Sequence, residues 1–408
     1  MRVAIANWNR RIVGGSEAYL KSALWGLGRA DVECALLTEI DAPSGRAPLE
    51  MPAGSPRWCL SEMGAAKALD ALREWRPDVI FVHIVKDTEL EAKLIEIAPS
   101  VLFAHSHQGM CISGAKTFKF PEVRPCARRF GWQCLVQFYP RRCGGLNPMT
   151  MWRDYSAQMR KHSMLTKYSA IVTASKYLAG ELEKHGISRD RLHTIAMPIG
   201  AGSTVRVRAG SARPNESPTT PRLLFVGRMS YLKGGSVLLD AIPQVVAALG
   251  TPVRITFVGD GPSCGAWEER AKQLASIDRR IEATFTGWLD SDAIESIFDE
   301  SDLLVMPSLE PETFGLAGPE AGRAGIPAVA FDVGGISEWL IDDVNGCLAP
   351  GNPPRAEGLA AAIVRCLRDR ETYERLRRGA IEASNRFDTE RHVESLLAIF
   401  RKVTACPL

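Results

Sequence analysis

No apolar run in the sequence approaches the roughly 20 residues needed to cross a bilayer. The opening residues, MRVAIANWN, lack the charged region and long apolar stretch of a secretion signal. They read as a first strand, and a cytosolic protein is expected. Cysteine is sparse, ten in 408 residues, which excludes a disulfide scaffold. Cys111, Cys126, Cys134 and Cys143 lie closer together but lack the C-x2-C spacing of a zinc site, so thiols are the first reading and a structural metal the second. Net charge is only +3, which argues against a nucleic-acid binder. No G-x-G-x-x-G follows the first strand, so no nicotinamide site is expected. The DSD at 290–292 resembles a metal-binding triplet, but it precedes a helical pattern and suits an N-cap better.

What is present is an alternation of short β-branched runs with helical patterns. Strands are expected at 2–6, 33–37, 78–82, 100–104, 169–173 and 192–196, then at 221–226, 253–258, 281–286, 302–306 and 327–331. RLLFVG, RITFVG and LLVMPS are apolar without strict alternation, as parallel strands buried on both faces are. Helices fit between them, for example at 235–249, 263–275 and 315–324. The fold class is therefore α/β, with two Rossmann-like doubly wound domains. The first is expected over 1–198 and the second over 221–385. A Pro-, Gly-, Ser- and Thr-rich linker fills 199–220, and an amphipathic helix over 386–408 is expected to pack back on the first domain. Ligands of such sheets bind outside the carboxyl ends of the strands, and two such domains side by side would share a cleft.

Three segments of the second half carry chemistry. VGRMSYLKGG, 226–235, puts Arg228 and Lys233 on a strand-to-helix loop, where a guanidinium fork, an ammonium and a helix N-terminus suit a diphosphate. Gly227 there, and Gly259 in VGDGPS at 258–263, let backbone approach a ligand or a neighbouring loop. PSLEPETFGLAGPE, 307–320, places Glu312 on a loop and Glu320 in a helix starting near Gly315, with the amides of Phe314, Gly315 and Leu316 available to an anion. The bland alternatives are solvated loop cations, a plain turn and solvated helix carboxylates.

GRMSYLKG, GDGP, TGWL at 286–289 and the E-x7-E pair together resemble the retaining family-4 glycosyltransferases of GT-B fold. In the first half, GGSEAYL at 14–20, PDVIFVH at 77–83, FAHSHQGMC at 103–111, ASKYLAGEL at 174–182 and MPIG at 197–200 resemble the same family more loosely. The resemblance implies transfer of a sugar from a UDP-, GDP- or ADP-linked donor to an acceptor hydroxyl, with anomeric retention and no required metal or cofactor. It implies that Arg228 and Lys233 bind the diphosphate and that Glu320 holds the ribose. Glu312, with the backbone of Phe314, Gly315 and Leu316, would hold sugar and phosphate. Gly14 and Gly15 would close over the phosphates, His105 would face the donor sugar, and Leu289 would lie beside the base. His83 and His107 stand on the acceptor side, His107 being readable as a working or a packing residue. A GT-B epimerase, a phosphorylase or a non-catalytic sugar-nucleotide binder is the alternative.

The stretch from about 106 to 153 is irregular. Between 116 and 161 ten Lys or Arg are opposed only by Glu122 and Asp154, and Phe118, Phe120, Phe130, Trp132, Phe138 and Tyr139 are interspersed. Such a mixture suits peripheral contact with the inner face of a membrane or an anionic acceptor. A folded cap with a solvated basic rim is the alternative. The acceptor itself is left open between a carbohydrate, a lipid-linked and a small-molecule substrate.

Overall fold

The computed structural model describes residues 1–43, 45–200 and 220–405, so most of the expected linker, 201–219, lies outside the described residues. The chain divides into two compact units. One takes in Met1–Ala115, the stretch from Arg128 to position 200 and the stretch from Phe387 onward; the other takes in Lys116–Ala127 and the stretch from position 220 to Arg386.

The strands are numbered along the chain as β1 (Arg2–Asn9), β2 (Glu33–Ile40), β3 (Arg57–Cys59), β4 (Val79–Val82), β5 (Ser100–Ala104), the short pair β6 (Thr117–Phe118) and β7 (Arg124–Pro125), β8 (Ala170–Thr173) and β9 (Leu192–Thr194). The second unit continues with β10 (Arg222–Val226), β11 (Val253–Val258), β12 (Ile281–Gly287), β13 (Leu303–Met306), β14 (Ala328–Phe331) and β15 (Gly346–Ala349). The first unit holds a seven-stranded sheet of order β3-β2-β1-β4-β5-β8-β9, and the second a six-stranded sheet of order β12-β11-β10-β13-β14-β15. Every pairing in both sheets is parallel. The inner strands are buried on both faces, as the unbroken apolar runs require: Val79, Ile80, Phe81 and Val82 are fully buried, and so are Leu303, Leu304 and Val305.

Strand order reverses at one place in each sheet. In the first, β1 pairs with β2 on one side and β4 on the other. In the second, β10 pairs with β11 and β13. Loops leaving the strands at such a point diverge to opposite faces and open a crevice. The segments 227–234 and 307–316 leave β10 and β13 at that position in the second sheet.

Some elements differ from the expectations. β15 was not among the strand candidates, because its residues, GCLA, carry no β-branched side chain. The helix expected over 315–324 runs Ala317–Arg323, since Gly315 sits at φ +91, outside helical backbone. The last six positions of the irregular stretch open an 18-residue helix, Pro148–Leu165, with Pro at its start and Asn147 accepting from the Met149 amide at 2.9 Å. One helical stretch, Tyr231–Leu249, is long and apolar enough by composition to cross a membrane, with mean hydropathy 1.3. It buries Leu238, Leu239, Ile242, Val245 and Val246 in the second unit. The Thr389–Ala405 helix belongs to the first unit, where Phe400 packs edge-on against Phe81 with ring centroids 5.1 Å apart.

Candidate active site

In the second unit the loops after β10, β11, β12 and β13 are stitched together through backbone. Gly227 donates to Val258 O at 3.0 Å, Met229 to Asp260 O at 2.8 Å, Gly259 to Gly287 O at 2.8 Å and Leu309 to Leu232 O at 2.7 Å. Two glycines are demanded by this closeness. Gly234 has φ +74, and a Cβ there would fall 1.8 Å from Pro307 O; Gly259 has φ +125, and a Cβ would fall 2.1 Å from Gly227 O. The motif glycines thus hold one loop against the next.

Lys233 ends the loop after β10 and turns to the loop after β13. Its Nζ lies 2.6 Å from Glu312 Oε1 and 3.2 Å from Glu310 Oε1. Ser308 Oγ donates to the same Glu312 oxygen. Burial pulls the ammonium's pKa down, but Glu312 and Glu310 outweigh it and hold the pKa above the usual lysine range. Burial raises the Glu310 carboxyl, opposed by Lys233 and by the more distant Lys119. Arg228 is exposed and has no ion-pair partner among the described residues. The two cations of this loop therefore differ: one is already neutralised, the other faces solvent.

Glu320 lies in the Ala317–Arg323 helix. Burial pushes its carboxyl up to about 7, with Arg323 opposing and Glu295 adding to the shift. Phe314 is buried, and its carbonyl accepts from Trp339 Nε1 at 2.6 Å. Among the described residues no acceptor takes a hydrogen bond from the amides of Gly315 and Leu316. Leu289 is half-buried just beyond β12. Asp290 caps the Ser291–Glu300 helix by accepting from Ala293 N at 2.9 Å.

In the first unit Gly14 and Gly15 open the Gly15–Arg29 helix after β1. Both are exposed. A Cβ on Gly15 would meet nothing within 4 Å, and one on Gly14 only Glu17 Oε2 at 3.8 Å, so packing does not demand either glycine. Glu17 is buried behind them and accepts from Asn7 Nδ2 at 3.3 Å and Trp8 Nε1 at 3.2 Å, tying the helix start to β1.

His83 ends β4 and His105 ends β5, and they meet: His83 Nδ1 and His105 Nε2 are 2.9 Å apart. His83 Nε2 is buried without a partner. An unpaired buried lone pair is cheaper than an unpaired N–H, so the His83 proton sits on Nδ1 and is donated to His105 Nε2. His105 then carries its own proton on Nδ1. Burial lowers the His105 pKa to about 3 and drives that of His83 well below its ordinary value, so both imidazoles are neutral at pH 7. Tyr19 packs beside them, ring centroids 5.5 Å from His105, and its hydroxyl donates to His392 Nε2 at 2.8 Å. His392 Nδ1 donates to Ala196 O at 2.8 Å. His83 and His105 line a pocket with Leu102, Gln108, Met110 and Lys161. His107 is set apart from the pair: it is buried, with Nε2 3.1 Å from the Tyr177 hydroxyl.

The motifs pointed at Lys233, Glu312, His83 and His105 but not at their partners. Glu310 stood two residues before Glu312, a spacing that on a loop can aim two carboxylates at one cation. Tyr19 and His392 are 373 residues apart and carried no local signal.

Sequence models of two families match. The one described as Glycosyltransferase Family 4 covers residues 13–199, and the one described as Glycosyl transferases group 1 covers 220–369. This chain belongs to the family-4 glycosyltransferases. It is 33% identical to the sulfoquinovosyl transferase SQD2 of Arabidopsis thaliana over 43% of its own length and 32% of that protein's. It is 29% identical to the D-inositol 3-phosphate glycosyltransferase of Xylanimonas cellulosilytica over 58% of its length and 57% of that protein's. The chain thus spans about a third to somewhat over half of these curated relatives. The crystal structure of Anabaena HepE in complex with UDP matches its fold with a TM-score of 0.66, at 18% identity, over 98% of this chain and 100% of that one.

Proposed function

We propose that the protein is a glycosyltransferase that moves a sugar from a nucleoside-diphosphate donor to an acceptor hydroxyl, with retention at the anomeric carbon. The observation that carries this reading is the cluster at the reversal point of the second sheet. There Lys233, Glu310, Glu312 and Ser308 are drawn together from two loops, with Arg228 exposed on one and amides without acceptors at Gly315 and Leu316 on the other. The fold neighbour bound to UDP supports a nucleotide at such a site.

In this reading Arg228 and Lys233 stabilise charge on the departing diphosphate. Lys233 reaches the phosphate by sharing or leaving its carboxylates, so Glu312 and Glu310 hold the ammonium in register beforehand. Glu312 then accepts from sugar hydroxyls and Glu320 from the ribose. Leu289, Gly227 and Gly259 border the nucleotide. The family pattern assigns Gly14 and Gly15 to the donor phosphates and His105 to the donor sugar. His105 is neutral, so it meets the donor sugar as an uncharged ring and not as a cation. His83 acts through it by fixing its tautomer, and His107 is assigned to the acceptor side. Glu91 lines the same pocket as the His83–His105 pair, but its carboxylate is held by Lys161 and by the Tyr168 hydroxyl. Attack by the acceptor on the face from which the diphosphate leaves is the route we propose.

The test is a thermal-shift screen of UDP-, GDP- and ADP-linked sugars, followed by transfer assays with carbohydrate, lipid-linked and small-molecule acceptors. A ligand at a hundredfold excess over its dissociation constant stabilises by about 2.7 kcal/mol. A stabilising nucleotide sugar that is turned over only with an acceptor present supports transfer. Turnover without acceptor would replace it with an epimerase.

A further inference from the structure

Large exposed apolar side chains recur along one stretch of the first unit, from Trp132 to Met159. Trp132 is 66% exposed, Val136 57%, Leu146 86%, Met149 80%, Trp152 59% and Met159 41%. A soluble surface shows such residues singly; a gathered set marks an interaction site. The Pro148–Leu165 helix explains how they are presented. Its last turns are fastened: Lys161 pairs with the buried Glu91, Gly109 N donates to Gln158 Oε1 at 2.6 Å, His162 Nδ1 donates to Gly109 O at 3.0 Å, and Met164 and Leu165 are buried. Met149, Trp152 and Met159, at spacings of three and seven along it, share one helical face. At 100° per residue, Arg153 and Arg160 fall on the same face, and both are exposed. Arg153 also meets Asp154 at 3.2 Å in an exposed pair of little worth. Trp132, at the N-cap of the Gln133–Gln137 helix, and Val136 within it are exposed as well. Arg128, Arg129 and Arg142, near them in sequence, are also exposed, and Asp154 is the only acid from 128 to 160.

We infer that this face binds the surface of an anionic lipid bilayer. The charge is of one sign, which complements phosphate headgroups, and the apolar groups are the kinds that sink to the acyl boundary while arginine reaches back to the headgroups. The inference stands apart from the sugar-donor reading, since nucleotide binding in solution does not depend on this face.

The experiment is co-sedimentation of the full chain with vesicles of phosphatidylcholine alone and of phosphatidylcholine with phosphatidylglycerol. The protein is expected to sediment with the anionic vesicles and to be released by salt. Each of Arg153→Gln and Arg160→Gln should weaken partitioning about fivefold. Met149→Ser with Trp152→Ser should abolish it while leaving the melting temperature unchanged, because both side chains are exposed. Quenching of wild-type tryptophan fluorescence by brominated acyl chains, reduced in Trp132→Phe with Trp152→Phe, supplies a readout that does not rely on a destabilised variant. No sedimentation with either vesicle would overturn the inference. So would a dimer in analytical ultracentrifugation, dissolved by Trp152→Ser, without vesicle binding.

Discussion

The two units solve the problem of placing polar groups at the ends of parallel strands in opposite ways. The first gathers neutral rings: His83, His105, Tyr19 and His392 are hydrogen-bonded in pairs and kept uncharged by burial. The second gathers charges: Lys233 between Glu310 and Glu312, exposed Arg228, and Glu320 with its carboxyl near neutrality. A neutral network orients a ligand through direction. A charged one stabilises a ligand whose own charge grows as a bond breaks. The difference teaches that, under the proposed function, groups suited to a charged leaving group lie in the second unit and groups suited to orienting a neutral ligand in the first.

The contrast is broken most directly by comparing losses of transfer. Arg228→Ala and Lys233→Ala are each expected to lower the rate at least about 100-fold, as loss of roughly 3 kcal/mol of charge stabilisation would. His105→Ala should cost only about tenfold, the worth of one neutral hydrogen bond. Steady-state kinetics with the donor found by thermal shift checks this, and equal losses on both sides would erase the distinction.

The units should also answer pH with opposite signs. The unfolded Glu320 carboxyl ionises near 4.5, whereas the folded one keeps its proton up to about 7. Between those values the folded state binds more proton, so stability falls as pH rises, by up to about 3 kcal/mol above pH 7. Glu320→Gln should therefore raise the melting temperature at pH 8 and leave it nearly unchanged at pH 4.5. The histidines act the other way. His105 titrates at about 3 and His392 at about 4 when folded, against 6.5 unfolded. Below pH 6.5 the unfolded state takes the protons first, so their contribution is lost as pH falls toward 4 and 3.

His392→Ala sharpens the first-unit side. It strands the buried Tyr19 hydroxyl and the Ala196 carbonyl, at a cost of about 2 kcal/mol in denaturant melts. It should also make the acid loss shallower. The smallest effect to seek is spectroscopic: nitrogen-15 shifts at pH 7 should place the protons of His83 and of His105 on Nδ1. A proton on His83 Nε2 would reverse the assignment of the pair.

How much of this was legible in the sequence depends on range. Unbroken apolar runs such as RLLFV and VIFV read as buried parallel strands because parallel sheets bury both faces, and the fold followed from their alternation with helices. Lys233, Glu312 and His105 stood out because motifs and strand ends are local. What Lys233 touches was not legible: its pairing with Glu310 and Glu312 depends on two loops meeting across sheet strands 77 or more residues apart. β15 escaped because small residues pair as well as β-branched ones in an edge strand covered by neighbours. The Tyr19–His392 bond escaped because it joins a first helix to a last one. The exposure of Leu146 and Met149 escaped because apolar residues near a helix start are ordinarily core.

The central claim is that Lys233 and Arg228 in the second unit hold the diphosphate of a nucleotide donor. Isothermal titration of UDP, GDP and ADP into the wild-type chain and into Lys233→Met, both checked for intact folding, tests it. One nucleotide should bind the wild type, and Lys233→Met should bind it about 100-fold more weakly. Unchanged affinity in the folded variant, or no binding of any of the three to the wild type, would contradict the account.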